Sequence, residues 1–93
     1  MSGLMKSAMG FEVSMDDDFE RKISNILGLV ERNALGVAKC ELKRVAETNS
    51  WVIECLWHDH QAMHAHFLSC QLQDLIGLVV SKSRKIVFKC DSE

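Results

Sequence analysis

The chain has 93 residues, is 47% hydrophobic and carries a formal net charge of −2 with mixed signs. That suits one globular domain over residues 1–93 with a limited core, and excludes a surface built to hold nucleic acid or an anionic membrane. Its apolar runs fall far short of a membrane span and the N-terminus offers only Lys6 and no sustained apolar stretch, so no signal peptide or anchor is expected and a cytoplasmic location is the default.

Residues 1–3 are assigned no function. From Leu4 to Ser14, Met5, Ser7, Met9, Phe11 and Val13 alternate with Lys6, Ala8, Gly10 and Glu12, which predicts a strand with one apolar face and one face of smaller groups. Gly10 marks a bulge or a close backbone approach. Asp16-Asp17-Asp18 then opens a helix bearing Phe19, Ile23, Ile26, Leu27 and Val30 on one side. Three acids in a row suggest a hard cation, but consecutive helical residues point in different directions and acids at a helix start are favoured by the dipole, so capping is the preferred reading. Asn33 and Gly36 end the helix.

From Val37 to Ala46 the chain alternates again, with Ala38, Cys40 and Leu42 against Lys39, Glu41 and Lys43; the lysines suit an edge strand. The polar connector Glu47-Thr48-Asn49-Ser50 is short enough for a hairpin and makes the flanking strands antiparallel neighbours. Trp51, Ile53, Cys55 and Trp57 then occupy one face of a strand, with Val52, Glu54 and Leu56 on the other. After a turn at His58-Asp59, where Asp59 is a credible N-cap, Met63, Phe67 and Cys70 follow at helical spacing. Ser69-Cys70 interrupts this pattern before Leu72, Leu75, Ile76 and Val79 resume it, so the helix either runs through Val80 or breaks once near Ser69. Ser81-Lys82-Ser83 connects to a final edge strand from Lys85 to Cys90, followed by the tail Asp91-Ser92-Glu93.

The order is βαββαβ, and right-handed crossovers place the four strands in a ferredoxin-like antiparallel sheet of the α+β class with both helices on one face. The open face still carries Val52 and Leu56. A second copy packed sheet to sheet would cover it, making a homodimeric barrel.

The stretch from Trp51 to Ser69 holds both tryptophans and all four histidines. His60 and His64 share a helical face, yet there is no His-Glu-x-x-His spacing and no well-placed third ligand, so no metal is expected. His66 flanks the apolar stripe beside Met63 and Cys70, as a partly buried structural histidine or one that faces a substrate. Trp57 is either plain core or the wall against which a planar aromatic stacks. The four cysteines are widely spaced with no Cys-x-x-Cys and read as reduced, buried apolar residues; Cys55 beside Trp57 is the best candidate for a reactive thiol.

These residues resemble the antibiotic-biosynthesis-monooxygenase family of small dimeric α+β barrels, many of whose members carry Glu-x-Trp at the end of a central strand and Ala-x-x-x-His or a similar run about nine residues later. Trp57 and His66 stand at that separation, and Ala62-Met63-His64-Ala65-His66-Phe67 resembles the family's helix. Aligned on Trp57, Cys55 takes the family's Glu position while Glu54 falls on the opposite face, and the chain has no tyrosine. The resemblance implies a cofactor-independent monooxygenase that deprotonates a small planar phenol or quinol, whose carbanion reduces dioxygen in a cavity of the homodimer. His66 would be its catalytic residue, Trp57, Cys55, Met63 and Phe67 its substrate-binding residues, and no cofactor is expected. Besides His66, only Glu54 offers a base. Haem degradation is disfavoured because the axial histidine of haem-degrading relatives falls at Ile76 here. The competing class is a non-catalytic ligand-binding or structural dimer.

Overall fold

In the computed structural model, residues 4–34, 36–45, 48–67 and 69–92 are described. Residues 1–3, Ala46, Glu47 and Glu93, which figured in the sequence reading, lie outside them. The elements are β1 (Met5–Glu12), α1 (Asp17–Asn33), β2 (Val37–Arg44), β3 (Ser50–Trp57), α2 (His60–Phe67), α3 (Cys70–Lys82) and β4 (Arg84–Ser92). The sheet order is β2-β3-β1-β4 with every neighbouring pair antiparallel, the ferredoxin-like arrangement expected from the strand and helix order. No helix among the described residues is long and apolar enough to cross a membrane.

One period-2 rule fixes what lies under the helices. Register pairs Ser7 with Cys55 and Met9 with Ile53, so Ser7, Met9 and Phe11 of β1 share a face with Ile53, Cys55 and Trp57 of β3. All six are buried, and Cys40 joins them opposite Cys55. Helix α1 closes this layer with Phe19, Ile23, Leu27 and Val30, each worth about 1.5–3 kcal/mol of burial. Its start follows the capping reading of the acidic run: Asp16 Oδ1 accepts the Phe19 N–H at 2.8 Å, with Asp17, Asp18 and Glu20 in the first turn.

The second helical segment breaks once, at Ser69. Its hydroxyl donates to the His66 carbonyl at 2.7 Å and accepts the Leu72 N–H at 3.2 Å, so one residue both ends α2 and caps α3. This break corrects the placing of Cys70 on the buried stripe with Met63, because the first residue of a redirected helix is swung outward and Cys70 is exposed. A second correction concerns β4, which continues through Asp91 and Ser92 because Met5 and Lys6 of β1 still offer pairing partners there. Gly10 does mark an irregularity: the β1–β4 register shifts between Gly10 and Glu12, and Lys85 on β4 takes a φ of 53°.

Gly36 does more than stop α1, which ends at Asn33 with Ala34 as its C-cap. With φ of 79°, Gly36 turns the chain into β2, and a Cβ there would lie 2.5 Å from the Ala62 Cβ. Its carbonyl accepts the His58 N–H at 2.7 Å, and Asp59 Oδ1 accepts the Ala62 N–H at the same distance. The start of α2 is thereby pinned against the entry of β2. This contact fixes the angle at which α2 crosses the sheet and delivers His66 over Trp57.

Candidate functional site

The fold leaves β4 poorly roofed. Register puts Phe88 opposite Met9 and Cys90 opposite Ser7, on the helix-bearing side, yet Phe88 is 55% exposed and Cys90 is exposed. Between this uncovered strand and the helices runs a narrow cleft of about 50 Å³ lined by Ser7, Cys55, His66, Phe67, Leu75 and Phe88, among others.

Three of the five residues expected at a site, His66, Cys55 and Phe67, line this cleft. Trp57 and Met63 do not; both are buried in the core. Trp57 is fully buried and its ring lies against the His66 imidazole, with centroids 4.7 Å apart and planes tilted by 36°. The two rings touch, so no ligand fits between them. Phe67 is a second aromatic neighbour of the imidazole, its centroid 6.2 Å away.

One polar group of this site is held by Trp57. Its indole Nε1–H donates to Ser7 Oγ at 3.1 Å across the β1–β3 pair. By alternation alone Ser7 is one member of an apolar strand face. The signal that singles it out was present, since a hydroxyl among Met5, Met9, Phe11 and Val13 occupies a core position and needs a partner there, but the partner's identity depends on strand register.

His66 is 5% exposed and its Nδ1 is buried without a hydrogen-bond partner. Burial alone lowers its pKa from the ordinary histidine value. The imidazole is therefore neutral at pH 7 and offers an unused ring nitrogen in apolar surroundings. On its other side His66 borders an open surface groove of about 480 Å³ between the end of α1 and α2, lined also by Asp59, Gln61, Ser69 and Gln71.

The remaining candidates fall away from this chemistry. Cys55 faces Cys40 directly across β2–β3, and both are buried free thiols. The Cys55 hydrogen bond, followed by burial, pushes the Cys40 thiol far above its usual range, which keeps it protonated and inert. Glu54, the other possible base, lies on the opposite sheet face. There its carboxylate pairs with the Lys43 ammonium at 2.9 Å and Lys6 at 3.6 Å. The Lys43 hydrogen bond chiefly holds the Glu54 pKa below the ordinary carboxylate value. His60 and His64 are exposed, with ring centroids 6.5 Å apart, and no cluster of three or more His, Cys, Asp or Glu suited to a metal occurs among the described residues.

A four-stranded ferredoxin-like sheet with a cleft under its helices, walled by one neutral histidine, defines the class of protein by shape. No family model and no curated protein matches the chain by sequence. Its fold is similar to that of a mutant of SnoaB, a cofactor-independent oxygenase from Streptomyces nogalater, with a TM-score of 0.83 over 99% of this chain and 94% of that one at 16% identity. It is similar to a Caulobacter crescentus protein named as a candidate antibiotic biosynthesis monooxygenase, with a TM-score of 0.83 over 99% and 91% of the two chains at 14% identity. It is also similar to a dimeric ferredoxin-like protein of unknown function from a Jannaschia species, with a TM-score of 0.79 over 96% and 98% at 16% identity. The resemblance to the fold of antibiotic biosynthesis monooxygenases, read from Trp57 to Phe67, thus extends over almost the whole chain.

Proposed function

We propose that this protein binds a small planar phenol or quinol in the cleft beside His66 and, as a cofactor-independent monooxygenase, oxidises it with dioxygen. The observation that carries the reading is the unpartnered Nδ1 of a buried histidine on the wall of a mostly apolar cleft. An unpaired buried polar atom costs about 1–3 kcal/mol, a cost that a bound hydroxyl group removes. Kept neutral by burial, His66 accepts the proton of the ligand, and the groove on its outer side gives that proton a route to solvent. The resulting carbanion reduces dioxygen. One oxygen atom stays on the ring carbon as a carbonyl, and the other leaves as water with the one hydrogen lost from that carbon and a proton equivalent to the one His66 took from the hydroxyl.

At about 50 Å³ the cleft is well below the roughly 300 Å³ at which pockets for drug-sized ligands begin. Entry of a fused ring therefore requires Phe67 and Phe88 to swing outward, and the exposure of Phe88 leaves room for that. The same small volume favours the second reading, a non-catalytic dimer in which the cleft is only a packing gap. Oxygen uptake against a panel of anthrones and naphthoquinols separates the two: the first predicts uptake that disappears in His66→Leu, and the second predicts none above the buffer rate with any compound.

In the same reading the partner is a second copy of the chain, docked through the open sheet face. Ala8, Gly10, Val52 and Val87 form an apolar hollow of about 340 Å³ there, and Val87 is 51% exposed. The Lys6, Glu41, Lys43 and Glu54 ion pairs lie beside it on the same face and neutralise one another, so they raise no net repulsion between copies. Sedimentation equilibrium at micromolar concentration is expected to give twice the 10.5 kDa of one chain, and Val52→Lys to return it to that value. A parent protein found only at the single-chain mass would remove the dimer.

A further inference from the structure

We propose that Ser7 is a ligand-binding residue whose hydroxyl donates to the oxygen of a hydroxyarene while that same oxygen gives its proton to His66. The proposal rests on the reading of the cleft as a phenol site and specifies the atoms that recognise the phenol. Ser7 is 8% exposed, lines the cleft, and accepts the Trp57 indole N–H at 3.1 Å. A hydroxyl that accepts one bond keeps its own proton to donate, and among the described residues the Ser7 hydroxyl has no acceptor. His66 presents the complementary atom, an Nδ1 without a partner, and it too rests on Trp57, through the ring contact at 4.7 Å. One indole therefore touches a hydroxyl on β1 and an imidazole on α2, and both residues line one cleft; in the proposal the hydroxyl is the donor and Nδ1 the acceptor.

This pairing selects ligand chemistry. A donor and an acceptor on one apolar cleft match a group that is itself acceptor and donor, and an aryl hydroxyl is the smallest such group on a planar ring. A ketone would satisfy Ser7 and leave His66 unpaired; an alkyl group would leave both unpaired. When the proton passes to His66, negative charge grows on the phenolic oxygen, and the Ser7 O–H, already polarised by the indole N–H, points at it. No atom besides that proton changes place in this step.

The test compares 1-naphthol with 1-methylnaphthalene, which has nearly the same shape and no hydrogen-bonding group. Binding is followed by the indole N–H cross-peak of Trp57 in nitrogen-15 spectra of the full chain. The parent is expected to prefer 1-naphthol, Ser7→Ala to weaken 1-naphthol about tenfold while leaving 1-methylnaphthalene within about twofold, and Ser7→Thr to restore the preference. Ser7→Ala strands the Trp57 N–H, so Ser7→Cys, close in size and a weaker donor, is measured beside it and is expected to show the same selective loss. If the parent binds 1-naphthol but the variants weaken both compounds equally, or neither, Ser7 serves only to satisfy Trp57 and the proposal fails while the phenol site stands. If the parent binds neither compound, the phenol site fails and the role of Ser7 with it.

Discussion

Trp57→Ala is expected to cost about 3–5 kcal/mol of stability, the range for deleting a large aromatic from a packed core. In a domain of this size each kcal/mol lost lowers Tm by about 4–8 °C, so the variant should melt about 12–40 °C below the parent. Trp57 is fully buried, and three contacts end with its ring: the imidazole stack at 4.7 Å, the bond to Ser7 at 3.1 Å, and its place beneath α2 at the end of β3. Trp57→Phe keeps most of the ring area and removes the N–H, and is expected to lose less than half as much. Its deficit should be that of stranding the Ser7 hydroxyl, about 1 kcal/mol, together with the unfilled part of the indole. Urea titration of both variants checks this. A loss below about 1 kcal/mol for Trp57→Ala would mean that the ring is a replaceable wall of a ligand site and not the element on which Ser7 and His66 are both hung.

The strand, turn and helix around Trp57 were legible in the sequence because each has a strong local signature. Alternation from Trp51 to Trp57 demands a strand, and Asp59, whose carboxylate accepts the Ala62 N–H, demands a helix start. Once those are set, the crossover needs no further information to fold α2 back over β3, which is why the nearness of His66, Cys55 and Phe67 could be read ahead of the structure. What could not be read is distance. A histidine near the end of a two-turn helix reaches the sheet either across a gap or in contact, and the choice depends on how closely α2 approaches. That approach is set by Gly36, whose missing Cβ leaves room for Ala62. The glycine was visible as a helix stop, but its partner lies on a different element, and no local pattern pairs them.

Ser7 escaped for a similar reason. The β1–β3 register that brings it to Trp57 spans 50 positions of sequence and is selected by the whole hydrophobic pattern of both strands. The break at Ser69 was legible as one of two alternatives, because a serine between two apolar stripes either rides on the surface of a continuous helix or caps a new one. The hydroxyl's double bond, to the His66 carbonyl and from the Leu72 N–H, decides between them. That break also places His66 in the last turn of α2, and beyond it Phe88 and Cys90 of β4 stay exposed.

Replacing His66 by Leu is expected to abolish oxygen uptake, leave stability at pH 7.5 unchanged or slightly higher, and remove an acid-side loss of stability that the parent shows. The sign follows from burial. Desolvation lowers the folded-state pKa of His66 below 6.5, whereas the unfolded chain titrates near the ordinary value. Between the two the unfolded state binds more protons, so stability is full above about pH 6.5, falls as the pH drops toward the folded-state pKa, and falls no further on this account below it. His58, His60 and His64 are exposed, and all three remain in the variant, so a change of slope on replacing His66 belongs to that residue. Leu also removes the unpartnered Nδ1, whose burial costs about 1–3 kcal/mol, while giving up the stack on Trp57 at 4.7 Å, worth about 0.5–1.5 kcal/mol. The two nearly cancel, which is why the stability change at neutral pH is small while the chemical change is complete. Urea midpoints of parent and variant at pH 7.5, 6.5, 5.5 and 5.0 test the slope. Equal slopes would show that His66 is not a buried neutral imidazole. A variant destabilised by more than about 2 kcal/mol at pH 7.5 would show that the histidine is held for packing, and that its free nitrogen waits for no ligand.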